Sequence, residues 1–238
     1  MTKGVILISF GKRGYGFAAA NLAASIKYFS PNIPVTLYAD KSSINQVSLD
    51  RLALIDSVKE LKDEDYKTDG KIDPAKVKTN LYKFLDYDYN LFLDVDAIVL
   101  KDIEPIFNEL IQLGDYYYSH VVGTHTIDKG RDFKEMQWAW ADDVWKHYKL
   151  KETDVLPAIN SSFQFIKKCK KSKELFTQAA KNYSNPIPLN ELRMAWGGSQ
   201  PDELYVNVAL AQKGITGKTN KEYIFFGHNT NLQVNDLI

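Results

Sequence analysis

The sequence predicts an α/β domain with a mainly parallel sheet, and two observations carry this prediction. Residues 4–10 and 34–40 are apolar runs rich in β-branched side chains, and a helix pattern over residues 17–29 lies between them. A strand, helix, strand unit of this kind is typical of parallel sheets. The chain has 238 residues, which suits one large domain with its own core, so we expect a single domain over residues 1–238.

The first helix is indicated by Leu22, Ile26 and Phe29, which recur at spacings of three and four. Its small alanines allow a close approach to a sheet. The polar stretch that follows the second strand predicts another helix over residues 44–55.

A glycine-rich turn links the first strand to the first helix. Its glycines at 11, 14 and 16 do not match either the dinucleotide fingerprint or the P-loop. Backbone N–H groups at a helix start, together with Lys12 and Arg13, can face a phosphate, and a solvated turn without a ligand fits equally well.

A third helix is predicted over residues 73–84. Asp73 is its candidate N-cap and Pro74 fits its first turn, while Lys78 is one of several lysines on its surface. The acidic patch at residues 63–65 precedes it. Because this patch has no apolar neighbours, we interpret it as a solvated loop.

Two acids interrupt the apolar run over residues 91–100, which otherwise suits a buried strand. Uncompensated carboxylates are costly to bury, so such a pair lies at a strand end, pairs with cations or binds a metal. In a strand, Asp94 and Asp96 would share one face and Val95 would point into the core.

Composition excludes several classes of function. Thirty basic residues balance thirty acidic ones, so no overall field favours nucleic acid or anionic lipid. The single cysteine, Cys169, excludes an internal disulfide and a cysteine-based zinc cage. With no run of eighteen apolar residues and no long apolar segment near the start, we expect a cytoplasmic protein without a transmembrane segment.

The second half continues the alternation of helices and strands. A helix is predicted up to Leu113, and strands are predicted over residues 115–123 and 222–229. Pro201 and the acids after it suit the start of a last helix.

An aromatic segment lies at residues 133–150. Met136, Trp140 and Val144 share one helical face there, which favours core packing over a stacking surface for sugars.

Several of these features, in this order, resemble the retaining family 8 glycosyltransferases. They are Lys78 before the acidic strand, the Phe-Leu-Asp-Val-Asp-Ala-Ile-Val-Leu run, the strand with Asn160, the helix start at Asp202, and His228 near the end. The resemblance implies the GT-A fold, a single Rossmann-like domain whose central mixed, mainly parallel sheet is flanked by helices. It further implies a nucleotide-binding half at residues 1–103 and an acceptor or sugar half at residues 104–238.

The resemblance also assigns roles. Asp94, Asp96 and His228 become candidate ligands of Mn²⁺, or of Mg²⁺, which the sequence cannot distinguish from it. Asp202 and Asn160 become candidate catalytic residues near the reacting sugar. The candidate nucleotide-binding residues are Phe10, Tyr15, Lys78, Asp94, Val95 and Asp96.

The sequence departs from the family pattern at several points. Ser162 stands where glycine is usual, Glu203 replaces glutamine and Val206 replaces leucine in the element that contains Asp202. No Lys-Pro-Trp follows His228, so the family's lysine contact to the diphosphate is missing or supplied elsewhere.

The resulting expectation is a metal-dependent hexosyltransferase that uses a nucleotide-sugar, most simply a UDP-hexose, and acts with retention on a hydroxyl acceptor. The acceptor class stays open among glycans, lipid-linked molecules and proteins. Two alternatives also stay open: a nucleotidyltransferase of related fold and a non-catalytic nucleotide- or sugar-binding module.

Overall fold

The computed structural model of the chain describes residues 1–11, 14–126, 139, 141–188 and 201–215. Strands in these ranges are β1 Lys3–Ser9, β2 Val35–Ala39, β3 Ser57–Glu60, β4 Lys67–Thr68, β5 Lys71–Ile72, β6 Tyr89–Leu93, β7 Tyr117–His125 and β8 Leu156–Lys167. Helices are α1 Tyr15–Phe29, α2 Lys41–Ile44, α3 Leu49–Leu52, α4 Asp63–Tyr66, α5 Pro74–Thr79, α6 Glu104–Leu113, α7 Ala141–Tyr148, α8 Lys170–Tyr183 and α9 Asp202–Gln212, with a 3₁₀ helix at Leu81–Phe84.

The main sheet has six strands in the order β3-β2-β1-β6-β8-β7 within the described ranges. The first four of these strands are mutually parallel, whereas β8 runs antiparallel to β6 and β7 runs antiparallel to β8. β4 and β5 form a separate two-stranded hairpin. The predicted α/β class and the mixed, mainly parallel sheet are therefore confirmed.

Both faces of the sheet are covered, as apolar parallel strands require. Along β1, Val5 and Leu7 belong to a core with α1 and α6, while Ile6 and Ile8 belong to a core with α5, α8 and α9. This alternation follows from the two-residue period of a strand. The carboxyl ends of β1 and β6, side by side at the centre of the sheet, therefore open between two packed layers.

Local polar side chains shift several element boundaries. The continuous helix predicted over residues 44–55 is wrong: Asp40 caps the short α2 through Ser43 N, and a second short helix starts after Ser48. The acidic patch at residues 63–65 forms the short helix α4 on the surface rather than a loop. The helix predicted over residues 73–84 ends at Thr79 and continues as the 3₁₀ turn.

Other predictions hold where the structure describes the chain. Asp73 caps α5 by accepting a hydrogen bond from Lys76 N, and Pro74 occupies the first turn. Val144 is fully buried, which agrees with the core interpretation for its part of the aromatic segment. The strand predicted over residues 222–229, Met136 and Trp140 lie outside the described residues.

Membrane-spanning helices were sought in the same ranges. None of the helices there combines the length and the apolar character needed to cross a bilayer.

Candidate functional site

The two acids of the apolar run lie in a turn directly after β6, not in the strand itself. β6 ends at Leu93, and Ala97 N donates to Asp94 O at 3.1 Å to close the turn. Asp94 is half-buried and Asp96 is exposed, while Val95 is 6% exposed and packs into the core. The strand-face argument for Asp94 and Asp96 is therefore wrong, although Val95 does point inward. We call residues 94–97 the acid turn.

Lys78 of α5 connects the acid turn to the second half of the chain. Its Nζ donates to Asp94 Oδ2 at 3.0 Å and to Ser161 Oγ at 3.1 Å, and it lies 3.2 Å from Asp202 Oδ2. The Lys78 side chain is only 19% exposed. One ammonium group thus holds carboxylates from two distant segments, at the end of β6 and at the start of α9.

The irregular pairing of β7 with β8 positions Ser161. Ser119 Oγ bonds the carbonyl oxygens of Asn160 and Phe163 at 2.8 and 2.9 Å, where the register of the two strands shifts. Such bulges re-aim side chains. Gln164 Nε2 donates to Ser161 O at 3.0 Å and fixes the same segment.

Ser161 meets two acids at the start of α9. Its hydroxyl lies 3.0 Å from Asp202 Oδ2 and 3.2 Å from Glu203 Oε1, and its backbone N–H also donates to Glu203 Oε1 at 3.2 Å. Acids in the first turn of a helix interact favourably with its positive end. Lys78, Asp94, Ser161, Asp202 and Glu203 form the Lys78 cluster.

Burial and mutual charge set the protonation of this cluster. Although burial alone would lower it, the pKa of Lys78 is raised by Asp202 and Asp94, so the ammonium stays charged. Burial raises the pKa of Asp94, against the influence of Lys78. Burial and the negative charge of Asp202 raise the pKa of Glu203 to about 7.

A cavity of about 410 Å³ opens beside the cluster at the carboxyl ends of β1 and β6. Ligands of open α/β sheets bind in this position. Its lining contains all six candidate nucleotide-binding residues, Phe10, Tyr15, Lys78, Asp94, Val95 and Asp96, together with Ile8, Gly11, Ile72, Pro74, Val77 and Phe92.

The backbone N–H groups at the described ends of the glycine turn are already hydrogen-bonded to side chains of the protein. Gly11 N donates to Asp40 Oδ2 at 3.0 Å, and Gly14 N donates to Gln46 Oε1 at 2.9 Å. These two N–H groups are therefore engaged within the chain and do not support the phosphate interpretation. Lys12 and Arg13 lie outside the described residues.

The acid turn fits a hard divalent cation in part. Asp94 and Asp96 offer carboxylate oxygens from a single turn, and Lys78 engages only Oδ2 of Asp94. In the described ranges no three His, Cys, Asp or Glu side chains come together as a metal site, and His228 lies outside those ranges. Two carboxylates are enough for a cation whose other ligands are water and substrate phosphate.

The side-chain amide of Asn160 uses its oxygen for hydrogen bonds within its own strand. Its Oδ1 accepts from Ser162 N at 3.0 Å and from Ser162 Oγ at 2.6 Å within β8, so it stabilises the strand where the pairing with β7 is irregular, not a turn before the strand. No described residue accepts a hydrogen bond from its Nδ2. The donor half of the amide is thus the part that can meet a sugar hydroxyl.

Sequence reasoning missed Ser161 and treated Glu203 only as a departure from the family pattern. The available signal was a carboxyl next to Asp202 at a helix start, together with a serine in a strand that already contained a candidate. Neither pattern reveals that Ser161 bonds Lys78 or that Glu203 in turn bonds Ser161, because these contacts depend on the packing of α5, β8 and α9.

Comparisons with known proteins identify the fold. No family model and no curated protein matches the sequence. Among solved structures, the galactosyltransferase LgtC in complex with donor and acceptor sugar analogues is similar at a TM-score of 0.52 and 11% identity, covering 89% of this chain and 71% of LgtC. Mouse xyloside xylosyltransferase 1 gives 0.53 at 11% identity, covering 92% and 84%.

A third structure agrees with these two. GlyE of Streptococcus pneumoniae TIGR4, in its apo form, gives a TM-score of 0.50 at 12% identity and covers 90% of this chain and 44% of GlyE. All three are named as glycosyltransferases, and the chain shares their GT-A fold. The fold expected from the family 8 resemblance is thereby confirmed.

Proposed function

We propose that the chain is a metal-dependent glycosyltransferase that transfers a hexose from a nucleotide-sugar, specifically a UDP-hexose, to a hydroxyl group. The observation that carries the proposal is the convergence of the acid turn, Lys78 and the start of α9 beside one cavity at the carboxyl ends of β1 and β6. Retention of configuration is implied by the resemblance to family 8. The acceptor is a glycan, a lipid-linked molecule or a protein.

In this proposal residues 1–103 bind the nucleotide. Phe10 and Tyr15 line the cavity and offer ring faces to a base, and Phe10 is itself braced by Tyr66 at 5.2 Å between ring centroids. A bound Mn²⁺ or Mg²⁺, held by Asp94 and Asp96, would neutralise charge on the leaving diphosphate. His228 is the candidate third ligand.

Residues 104–238 then meet the sugar and the acceptor. In the described part of the chain, hydrogen bonds and ion pairs engage only Oδ2 of Asp202, which leaves Oδ1 for a sugar hydroxyl. Asn160 offers its Nδ2 in the same region. Lys78 holds Asp202 in place, so positioning and fixed charge are the contributions that the chain's own residues make.

The test is incubation with Mn²⁺ and a panel of nucleotide-sugars while free nucleoside diphosphate is measured. We expect metal-dependent release of UDP from one UDP-hexose, lost with a chelator and restored by added metal. Release of pyrophosphate from a nucleoside triphosphate would instead assign a nucleotidyltransferase. Tight nucleotide-sugar binding without turnover across a broad acceptor panel would assign a binding module.

A further inference from the structure

We propose that Glu203 holds a proton at neutral pH and thereby sets the pH range in which the site accepts an anionic donor. The inference rests on the proposed function for its donor, but the protonation of Glu203 stands on the structure of the Lys78 cluster. Glu203 acts here as a positioning residue: it controls the charge around Asp202 and the hydrogen bonds of Ser161.

The charges of the cluster are unbalanced. Among the described residues, Lys78 is the one cation of the cluster and contacts Asp94 and Asp202, whereas Asp94, Asp202 and Glu203 supply three acids. With all three ionised and no cation on the acid turn, the cluster carries two net negative charges in a partly desolvated site, which is unfavourable. A divalent cation on Asp94 would still leave Lys78 as the one cation beside Asp202 and Glu203 among the described residues, with one net negative charge. One bound proton removes one of these charges.

Contacts decide which acid takes the proton. The ammonium of Lys78 lies 3.0 Å from Asp94 and 3.2 Å from Asp202, and both distances allow a direct ion pair. Glu203 has no such pair among the described residues, since its hydrogen bonds come from the backbone and hydroxyl of Ser161. A nearby cation stabilises the ionised form of a carboxyl group, so the acid that lacks one takes up a proton first.

The elements packed against Glu203 add no second cation from the described residues. From β7, Tyr117 turns its neutral hydroxyl to Gln164 at 3.1 Å. From α5, Lys76 directs its ammonium to Lys67 O at 2.6 Å. From α8, Tyr183 bonds Asp73 and packs on Tyr205. The raised pKa of Glu203 agrees with this environment.

The consequence concerns the donor. A nucleoside diphosphate brings negative charge to the cavity that Lys78, Asp94 and Asp96 line, next to the cluster. A protonated Glu203 reduces the repulsion, and its ionisation restores it. If only the protonated form accepts the donor, the apparent Kd rises up to tenfold per pH unit above the pKa of Glu203.

The first test reads the proton directly and needs no donor. Infrared difference spectra of the wild type against Glu203→Gln should show a carboxylic acid C=O band at pH 6 that disappears as the pH rises through about 7. Absence of this band at pH 6 would overturn the proposal, whatever the activity. If Glu203→Gln does not fold, Ser161→Ala serves instead: loss of the hydroxyl donor should move the acid band to higher pH, and an unmoved band would contradict the proposal.

The second test uses UDP-glucose with Mg²⁺, because its diphosphate diester does not ionise near neutral pH. We expect its Kd to rise between pH 6.5 and 8.5 in the wild type and in Glu64→Gln, an exposed charge-matched control, but to stay flat in Glu203→Gln. Equal pH dependence in all three proteins would refute the role of Glu203. A carboxylic acid band without any UDP-glucose binding would support the protonation of Glu203 but contradict the proposed donor, so the two proposals can fail separately.

Discussion

The ammonium of Lys78 lies 3.2 Å from Oδ2 of Asp202 and so joins helix α5 to the start of helix α9. The same nitrogen donates to Asp94 at the end of β6. The first and second halves of the chain therefore share one charged group at the edge of the cavity. Any change in that group should affect stability and ligand binding together.

Removal of the Lys78 charge is the first prediction. Lys78→Met leaves Asp94 and Asp202 without their ammonium partner, so we expect the free energy of unfolding to fall by about 2 kcal/mol, less than for a fully buried pair because Lys78 is partly exposed. Lys78 lowers the pKa of Asp94, so this pKa should rise further without it, which makes the loss larger at pH 8 than at pH 6. Urea unfolding at both pH values measures this.

Lys41→Met is the matched control for that experiment, because Lys41 is exposed on α2. We expect it to change the unfolding free energy by no more than about 0.5 kcal/mol. A Lys78→Met protein as stable as the Lys41→Met protein at pH 8 would show that the pairs of Lys78 contribute little.

The second prediction concerns the acid turn. Asp96 is exposed, so Asp96→Asn should leave the fold and the Tm unchanged. If the proposed metal site is correct, loss of the Asp96 carboxylate should weaken Mn²⁺-dependent UDP binding at least tenfold, or about 1.4 kcal/mol. Calorimetric titration of UDP with and without Mn²⁺ measures the effect, and Glu64→Gln is the control. Unchanged UDP affinity in Asp96→Asn would mean that the metal assignment is wrong.

The third prediction concerns Asp40, which holds the glycine turn against α2. Its two carboxylate oxygens accept from Gly11 N and Ser43 N, and an asparagine can accept at only one oxygen. Asp40→Asn should therefore cost about 1 to 2 kcal/mol at pH 7. Because Gly11 lines the cavity, UDP binding should weaken as well.

The effect of Asp40 should depend on pH in a defined direction. Burial alone would raise the pKa of Asp40, but hydrogen bonds from Ser43, Gly11 and Ser42 lower it. The ionised carboxylate thus stabilises the fold above an ordinary aspartate pKa of about 4, and this stabilisation is lost as the pH falls through the lower pKa of the folded state. The difference in unfolding free energy between wild type and Asp40→Asn should therefore narrow on acidification. Glu60→Gln, a change at an exposed residue, should match the wild type in unfolding free energy at each pH.

The sequence predicted the features whose cause is local. Residues 4–10 and 34–40 fold as expected because a short continuous apolar run suits a strand buried on both faces. Residues 17–29 do so because a 3.6-residue apolar period already defines the buried face of the helix. The helix over 44–55 failed because Asp40 caps a short helix that ends at Ile44, and a separate short helix begins only after Ser48.

The candidate site divides in the same way. The acid turn was visible as two acids in an apolar run, although the turn that ends β6 at Leu93 was not. The contacts that join Lys78 to Ser161 and Ser161 to Glu203 depend on three elements packing together, so they cannot be derived from the sequence alone. Charge balance in the cluster could only be judged once those side chains were placed.

The last prediction separates helix propensity from packing at Gly16. Alanine is favoured over glycine in a helix by about 1 kcal/mol, so propensity alone predicts that Gly16→Ala stabilises α1. A Cβ at this position would lie 2.2 Å from the backbone oxygen of Ser43, which is rigid because Asp40 caps α2 there. We expect the clash to win and Gly16→Ala to lose about 2 kcal/mol, with weaker UDP binding as the glycine turn moves away from α2. Phe17→Ala, at an exposed neighbour, should leave UDP affinity unchanged. A more stable Gly16→Ala protein would show that α2 yields, and that the contact between α1 and α2 does not shape the cavity.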